Sequence, residues 1–336
     1  MASEFSEQLN DGNETAHEQG TVYVDSSNLD IVLSTKPPSM LSLFWKELRH
    51  DILAFISLIL LVALIAGIYV GSPLIQSRMD VMRNDLLIRN QSPEELGLHF
   101  ENDDTTGRLT TMLGTDSNGR FIAPLLVVSA RNSLNVALAV TALSFLIGLI
   151  VGIISGFYGG TVDNIIMRIT DTVTMLPIFM VMIAIISIAP TRSTALFILI
   201  FTMFTWMGRT RLIRAAALQN RNLDYISASK TLGTRNIVII FREMLPNLVD
   251  VIVANFVLTT AANIGIETGF SMLGFGMGME YPSLGVMISN AMQTVNLNFR
   301  WWTWAPAVIL VVTIMLCINF VGNVLQRVAD PRQRLV

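Results

Sequence analysis

The sequence contains little of what catalytic or disulfide-bonded proteins depend on. Its one cysteine, Cys317, excludes an intramolecular disulfide and makes sulfur ligation of a metal unexpected. Its three histidines, His17, His50 and His99, lie far apart, and no HExxH or paired-cysteine pattern surrounds them. No glycine precedes any of its three lysines, so the phosphate-binding GxxxxGK[ST] loop is absent. We therefore expect no catalytic residue, no metal and no cofactor on this chain.

Charge is also scarce. Only 14% of the residues are charged, whereas 52% are hydrophobic, and the hydrophobic residues are gathered into blocks. This composition is typical of an integral membrane protein. Six blocks are long or apolar enough to predict transmembrane helices in an all-α protein. They cover residues 52–70, 136–157, 172–189, 195–207, 248–266 and 304–321.

The order of these blocks predicts the organisation of the chain. Residues 1–40 form a flexible, acidic cytoplasmic tail, which lacks the basic start of a signal peptide. Residues 41–71 hold the first transmembrane helix, and residues 72–133 form an extracytoplasmic loop that leads into the core. Residues 134–325 form a core of five helices, and residues 326–336 form a cytoplasmic tail.

The distribution of basic residues predicts the orientation. Residues 209–247, between the fourth and fifth blocks, carry seven basic side chains: Arg209, Arg211, Arg214, Arg221, Lys230, Arg235 and Arg242. Such a segment belongs in water, on the cytoplasmic side if the positive-inside rule holds. Six spans then place both termini in the cytoplasm.

Few ionisable residues lie inside the blocks. Asp250 and Glu267 lie at the two ends of the fifth block, and we interpret them as interfacial residues that are solvated there. An ion-coupled carrier ordinarily needs charge within its spans. The energy for any transport is therefore expected from another chain.

The segment 209–247 also has an ordered pattern. Leu223, Ile226, Lys230 and Gly233 recur at helical spacing, Gly233 is suited to a left-handed helix cap, and Pro246 predicts a break before the fifth span. The pattern resembles the EAA loop of ABC importer membrane subunits, in which a coupling helix enters a groove on the ATPase subunit. Ser227, Ala228 and Ser229 stand at the Glu-Ala-Ala positions, so the acidic residue is missing. The residues that carry this resemblance are Asp224, Tyr225, Ser227, Ala228, Ser229, Leu232, Gly233, Leu245 and Pro246.

Other motifs resemble one branch of these importers. Gly114, Thr115, Asp116, Gly119 and Arg120, followed by Ala130, Arg131, Ser133 and Leu134, are similar to the LGTDxxGRD and GARxSL signatures of oligopeptide and dipeptide permeases. Phe121 replaces the aspartate of the first signature. The similarity covers residues 40–336 and is specific to the OppC/DppC-like membrane subunit.

The resemblance implies a type I ABC importer permease fold in a bacterial cytoplasmic (inner) membrane, surrounded by lipid. It implies a heterodimer with a homologous permease, two ATPase subunits that hold ATP and Mg²⁺, and an extracytoplasmic peptide-binding receptor, with no nucleic acid. The expected function is import of oligopeptides or dipeptides. Nickel or another small solute is the nearer alternative, and an ATP-independent ion-coupled carrier or a membrane scaffold is the more distant one.

Two further groups of residues have predicted roles in the membrane. Gly148, Gly152 and Gly156 recur every four residues and predict close helix packing, or alternatively a moving gate. Asn255, Thr259 and Asn263 offer neutral hydrogen-bonding groups to a transport pathway, although such residues also often join neighbouring helices.

Overall fold

The computed structural model describes residues 40–78, 80–95, 112–278, 281–290, 292 and 294–329. Within these residues the chain is almost entirely helical. The predicted N-terminal tail and most of the predicted C-terminal tail lie outside the described residues, as do His17 and His99.

Twelve α-helices occur in the described part of the chain. They are α1 (Met40–His50), α2 (Ile52–Arg78), α3 (Ile122–Tyr158), α4 (Gly160–Thr174), α5 (Ile178–Ile188), α6 (Thr194–Arg221), α7 (Asp224–Thr231), α8 (Asn236–Val238), α9 (Leu245–Met272), α10 (Leu284–Asn290), α11 (Thr294–Phe299) and α12 (Ala305–Ala329). A π-helical stretch, Ile239–Met244, connects α8 to α9, and 3₁₀ turns occur at Leu86–Ile88 and Trp301–Thr303.

Several of these helices are long and apolar enough to cross a membrane. By length and composition α2, α3, α6 and α12 qualify, and the pair α4 and α5 adds a fifth span if it is one broken helix. The predicted count of six spans also includes α9, which has 28 residues and is long enough to cross a bilayer. The described residues therefore form an all-α, multi-pass membrane protein.

The predicted span at residues 172–189 is not one straight helix. Helix α4 ends at Thr174, α5 starts at Ile178, and the two axes differ by 74°. Pro177 stands at the start of α5 and lacks the amide that would continue the hydrogen bonds of α4. The apolar run 172–189 crosses this break, so hydrophobicity alone predicts one span where the structure has parts of two helices.

The boundaries around the first loop also differ from the sequence-based ones. Helix α2 continues to Arg78, and α3 begins at Ile122, so the ends of the predicted loop 72–133 are helical. A separate helix, α1, precedes α2.

Helix α3 organises the interior. Its 37 residues correspond to about 55 Å of helix, and three apolar clusters lie along it. Near its start it packs with α2, α9 and α12 around Ile122 and Leu134. Near its middle, Val140 packs with α5, α6 and α9. Near its end, Phe157 packs with α6, α7 and the π-helical stretch. Helix α3 thus extends from the region next to the first loop to the region that carries the EAA-like motif.

Candidate docking surface

A short helix, α7, carries the EAA-like motif. Two residues separate it from the end of α6, and its C-cap is Leu232. The next residue, Gly233, has φ +79°, a conformation that favours glycine. Its amide donates to the carbonyl of Lys230 at 3.0 Å, and the amide of Thr234 donates to the carbonyl of Ser229 at 3.1 Å. This pair of bonds is a Schellman motif, and it confirms the predicted left-handed cap.

One buried side chain anchors α7. Ile226 is 0% exposed and belongs to the cluster that contains Ile213 and Ala217 of α6 and Ile239 and Met244 of the returning π-helical stretch. A helix of eight residues is too short to be stable alone in water. Contacts of this kind therefore hold α7 in place.

The remaining surface of α7 faces outward. Apart from Lys230, whose ammonium group lies over the Phe157 ring, the exposed residues of this segment are Asp224, Tyr225, Ser227, Ala228, Thr231, Leu232 and Gly233, and we call these seven the docking surface. Leu232 is 84% exposed, and the flanking Leu223, Ile237 and Phe241 are exposed large apolar residues as well. Exposed apolar groups concentrated in one region are typical of a protein–protein contact.

Polar contacts fix the ends of α7 to its neighbours. Ser229 Oγ donates to Glu243 Oε1 at 2.8 Å, so this motif residue faces the returning chain instead of the docking surface. The hydroxyl of Tyr225 donates to Asn220 Oδ1 at 3.2 Å and accepts from Asn247 Nδ2 at 2.8 Å. These bonds join α7 to both α6 and α9.

A cation–π contact supplements them. The ammonium group of Lys230 lies 4.8 Å from the centre of the Phe157 ring, at the end of α3. Helix α7 therefore contacts α3, α6 and α9, the three helices that continue from this region toward the membrane.

The expected break at Pro246 is wrong. Leu245 and Pro246 form the first turn of α9, directly after the π-helical stretch Ile239–Met244. Proline is tolerated in a first helical turn, and the wider π turn places the amide of Leu245 against the carbonyl of Ile240. The chain therefore passes from the motif region into α9 without a hinge at the proline.

The segment 209–247 is not a single water-exposed loop. Residues 209–221 belong to α6, and Ile213 and Ala217 are buried. Two of the seven basic residues of this segment pair with acidic residues of α4. Arg214 Nη2 donates to Asp163 Oδ2 at 2.6 Å, and Arg211 Nη2 donates to Asp171 Oδ1 at 2.8 Å. Ser155 Oγ also donates to Asp163. These arginines therefore join α6 to α4.

The three-glycine stripe of α3 lies directly against α6. A Cβ added to Gly148 would lie 2.5 Å from Arg209 Cβ, and one added to Gly156 would lie 2.6 Å from Ala217 Cβ. A Cβ on Gly152 would lie 2.8 Å from the carbonyl oxygen of Thr210. Each distance is shorter than a side chain allows, so the two backbones approach as closely as glycine permits.

The three proposed pathway residues occupy different environments on α9. Asn263 is buried and donates to Thr141 Oγ1 of α3 at 2.8 Å, and Thr259 is also buried. Asn255 is half-buried, and its amide bonds to the carbonyl of Val251 within the same helix. In this conformation Asn263 joins two helices, whereas Asn255 is the most accessible of the three.

The prediction that Glu267 is solvated at a helix end is wrong. Its side chain is 0% exposed, although it lies only five residues before the end of α9. The neighbouring segment around Gly285 packs closely on the same part of α9 and covers it. Local hydrophobicity does not predict this burial, because the segment that covers Glu267 comes from another part of the chain.

The GTDxxGR motif forms a compact turn before α3. Asp116 and Arg120 are both buried and pair at 2.7 Å, and the backbone of Thr115 pairs with that of Phe121. Gly119 has φ +77° and contacts the backbone of Asp85. The motif thus fixes the first loop against the start of α3.

The match to a protein family agrees with this geometry. Residues 148–335 match the family described as "Binding-protein-dependent transport system inner membrane component". The matched range includes the glycine stripe, the docking surface and α9.

Curated proteins are similar over most of the chain. The oligopeptide transport system permease protein OppC of Lactococcus lactis subsp. cremoris is 43% identical, over 86% of this chain and 93% of that protein. The dipeptide transport system permease protein DppC of Bacillus subtilis is 32% identical, over 86% and 85%.

A solved structure is similar in fold. A chain from the inward-facing MetNI methionine ABC transporter aligns with a TM-score of 0.50 at 20% identity, over 61% of this chain and 96% of that chain. This likeness concerns the fold alone.

Proposed function

Because the chain belongs to the family of binding-protein-dependent transport system inner membrane components and is a non-catalytic membrane permease subunit, we propose that it imports oligopeptides or dipeptides. The names of its relatives support peptides as cargo. Import of nickel or another small solute by the same machinery is the alternative.

The docking surface carries the proposal for energy coupling. Helix α7 is exposed on one side and anchored by the buried Ile226 on the other. We propose that separate ATPase subunits, which bind ATP and Mg²⁺, contact this surface. A partner that moves α7 would also move α6, because Ile226 belongs to the same apolar cluster as Ile213 and Ala217 of α6.

The displacement would continue into the membrane through the glycine stripe. At Gly148, Gly152 and Gly156, helix α3 places no side chain of its own between its backbone and α6. Interiors as closely packed as this transmit displacement because they have little space to absorb it. We propose that ATP-driven closure of the ATPase subunits thereby changes the access of the pathway.

The remaining partners follow the family. We propose a homologous permease as heterodimer partner, two ATPase subunits and an extracytoplasmic peptide-binding receptor. The basic residues near the docking surface support a cytoplasmic location for it, and with six spans both termini are then cytoplasmic. In the proposed pathway Asn255 is accessible in this conformation, while Thr259 and Asn263 require helix movement for access.

A matched pair of leucines tests the coupling proposal. Leu232 is 84% exposed on the docking surface, and Leu87 is 89% exposed in the first loop. Leu232→Asp should reduce co-purification of the ATPase subunits and receptor-stimulated ATP hydrolysis, since it places a charge in a protein contact. Leu87→Asp should leave co-purification unchanged. Equal ATPase recovery with both variants would contradict the proposed contact.

The cargo is tested separately. Uptake of a labelled peptide by the assembled transporter should be reduced by unlabelled tripeptide or pentapeptide and not by nickel. Competition by nickel alone would favour the alternative cargo while leaving the coupling proposal intact.

A further inference from the structure

Glu267 is a fully buried acidic side chain on a helix that contributes to the membrane core. It is 0% exposed, and its Oε1 accepts a hydrogen bond from Ser271 Oγ at 2.7 Å. Its Oε2 is buried and has no hydrogen-bond partner within the described residues. An acidic group in such a place usually has a specific role.

The neighbours of Glu267 are neutral. Besides Ser271 they include the hydroxyls of Ser133 on α3 and Thr268 on α9. None of the ion pairs in the described part of the chain involves Glu267. The hydroxyl of Thr268 is itself buried without another partner there. Among the described residues, the site therefore offers hydrogen bonds to Glu267 and no ion pair with a positive charge.

The same neighbours hold α10 and the segment before it. The amide of Leu284 donates to Ser133 Oγ at 3.2 Å, and the amide group of Asn132 donates to the carbonyl of Pro282 at 2.8 Å. Gly285 lies close to both Thr268 and Ser271, so that a Cβ there would overlap the Ser271 side chain at 2.5 Å. Glu267 thus lies where α3, α9 and α10 meet.

Physical chemistry favours the neutral acid at this position. An ionised carboxylate that is buried without a cation is strongly disfavoured. A protonated carboxyl group is both a donor and an acceptor, so it can bond to several hydroxyl groups at once. Its acidic proton would give Oε2 a donor for the otherwise unpartnered Thr268 hydroxyl.

We propose that Glu267 is a positioning residue that acts as a neutral carboxylic acid and holds α10 against α3 and α9. This proposal rests on the proposed transport function, because the helix contacts that Glu267 holds are proposed to be needed for transport. It also assigns the buried acid no role in ion coupling. The acid positions the covering segment Pro282–Gly285 through Ser133 and Ser271, and it carries no proton or ion across the membrane.

Two substitutions separate a hydrogen-bonding role from a role in charge or proton transfer. Glu267→Gln keeps the size, one donor group and one acceptor, whereas Glu267→Met keeps the approximate size and removes the hydrogen bonds. Peptide uptake and its pH profile should be nearly unchanged in Glu267→Gln. Uptake should fall about tenfold in Glu267→Met, the scale expected for unsatisfied buried polar partners.

A second readout reports the position of the covering segment itself. Tyr281 is exposed immediately before the segment Pro282–Gly285, and the native Cys317 is buried. In purified protein that carries Tyr281→Cys, the labelling rate with a maleimide should rise with Glu267→Met and stay unchanged with Glu267→Gln. This readout does not depend on the identity of the cargo.

The outcomes are distinct from those that test the function. Absence of peptide uptake in the wild-type complex would contradict the proposed cargo, and labelling would still decide the role of Glu267. If Glu267→Gln lost uptake or labelled as fast as Glu267→Met, or if its uptake changed its pH profile, the neutral-acid proposal would be overturned. Unchanged labelling and uptake in Glu267→Met would also overturn it. If Glu267→Met did not reach the membrane, Glu267→Gln alone would decide.

Discussion

A single methyl group at Gly152 should disturb the contact between α3 and α6. The added Cβ would lie 2.8 Å from the carbonyl oxygen of Thr210 and 3.0 Å from Ile213 Cβ. Ordinary contacts of this kind need several tenths of an ångström more, so one helix must shift. Overpacking of this kind costs about 1–3 kcal/mol. A shift of α6 would also disturb the apolar cluster that contains Ile213 and Ile226.

The matched control is Gly208→Ala on α6. Gly208 has no atom within 4 Å of an added Cβ, so alanine there should be neutral or stabilise the helix by about 0.5–1 kcal/mol. The assay is thermal unfolding of the purified complex together with peptide-stimulated ATP hydrolysis. Gly152→Ala should lower both the unfolding midpoint and the stimulation. Equal behaviour of the two alanine variants would refute the argument from backbone contact.

Two more predictions concern other contacts. Because Ile226 is fully buried, Ile226→Ala should lower the free energy of unfolding by about 2–5 kcal/mol and increase amide hydrogen exchange across Asp224–Thr231. Ile237→Ala, at an exposed site, is the control. Equal exchange in the two variants would contradict the anchoring role of Ile226. Arg327 hydrogen-bonds to Asp51 at 2.6 Å and lowers the pKa of that carboxyl. The stabilisation is therefore present above the unfolded-state pKa and lost as the pH falls below about 4. The unfolding midpoint of Asp51→Asn should differ from wild type by a constant amount at pH 5–8, and the difference should shrink in acid; a difference that first appears in acid would contradict the pair.

The sequence is most informative where a local pattern determines the structure. Helix spacing and Gly233 predict α7 and its left-handed cap, because both depend on residues a few positions apart. The positions of apolar blocks predict most long helices for the same reason. Hydrophobicity does not reveal the break at Pro177, because the apolar composition is continuous across it; the proline itself is the signal for the break.

Local sequence patterns do not predict contacts between residues that are far apart in the chain. Asp163 and Arg214 are separated by 51 positions, and no spacing rule joins them. The burial of Glu267 depends on a segment that follows α9 and folds back over it. Pro246 predicts a break only if the preceding chain is unstructured, whereas the π-helical stretch before it makes the proline part of a first turn.

The most direct test of the coupling account is a cross-link between the docking surface and an ATPase subunit. The variant Ala228→Cys places a thiol on the exposed side of α7, and Cys317→Ala removes the only native thiol. In the assembled complex the account predicts a cross-linked product with an ATPase subunit through a short thiol–amine reagent, and a yield that changes on addition of ATP. If the introduced thiol of Ala228→Cys were freely labelled in the intact complex and formed no such product, the result would contradict the account.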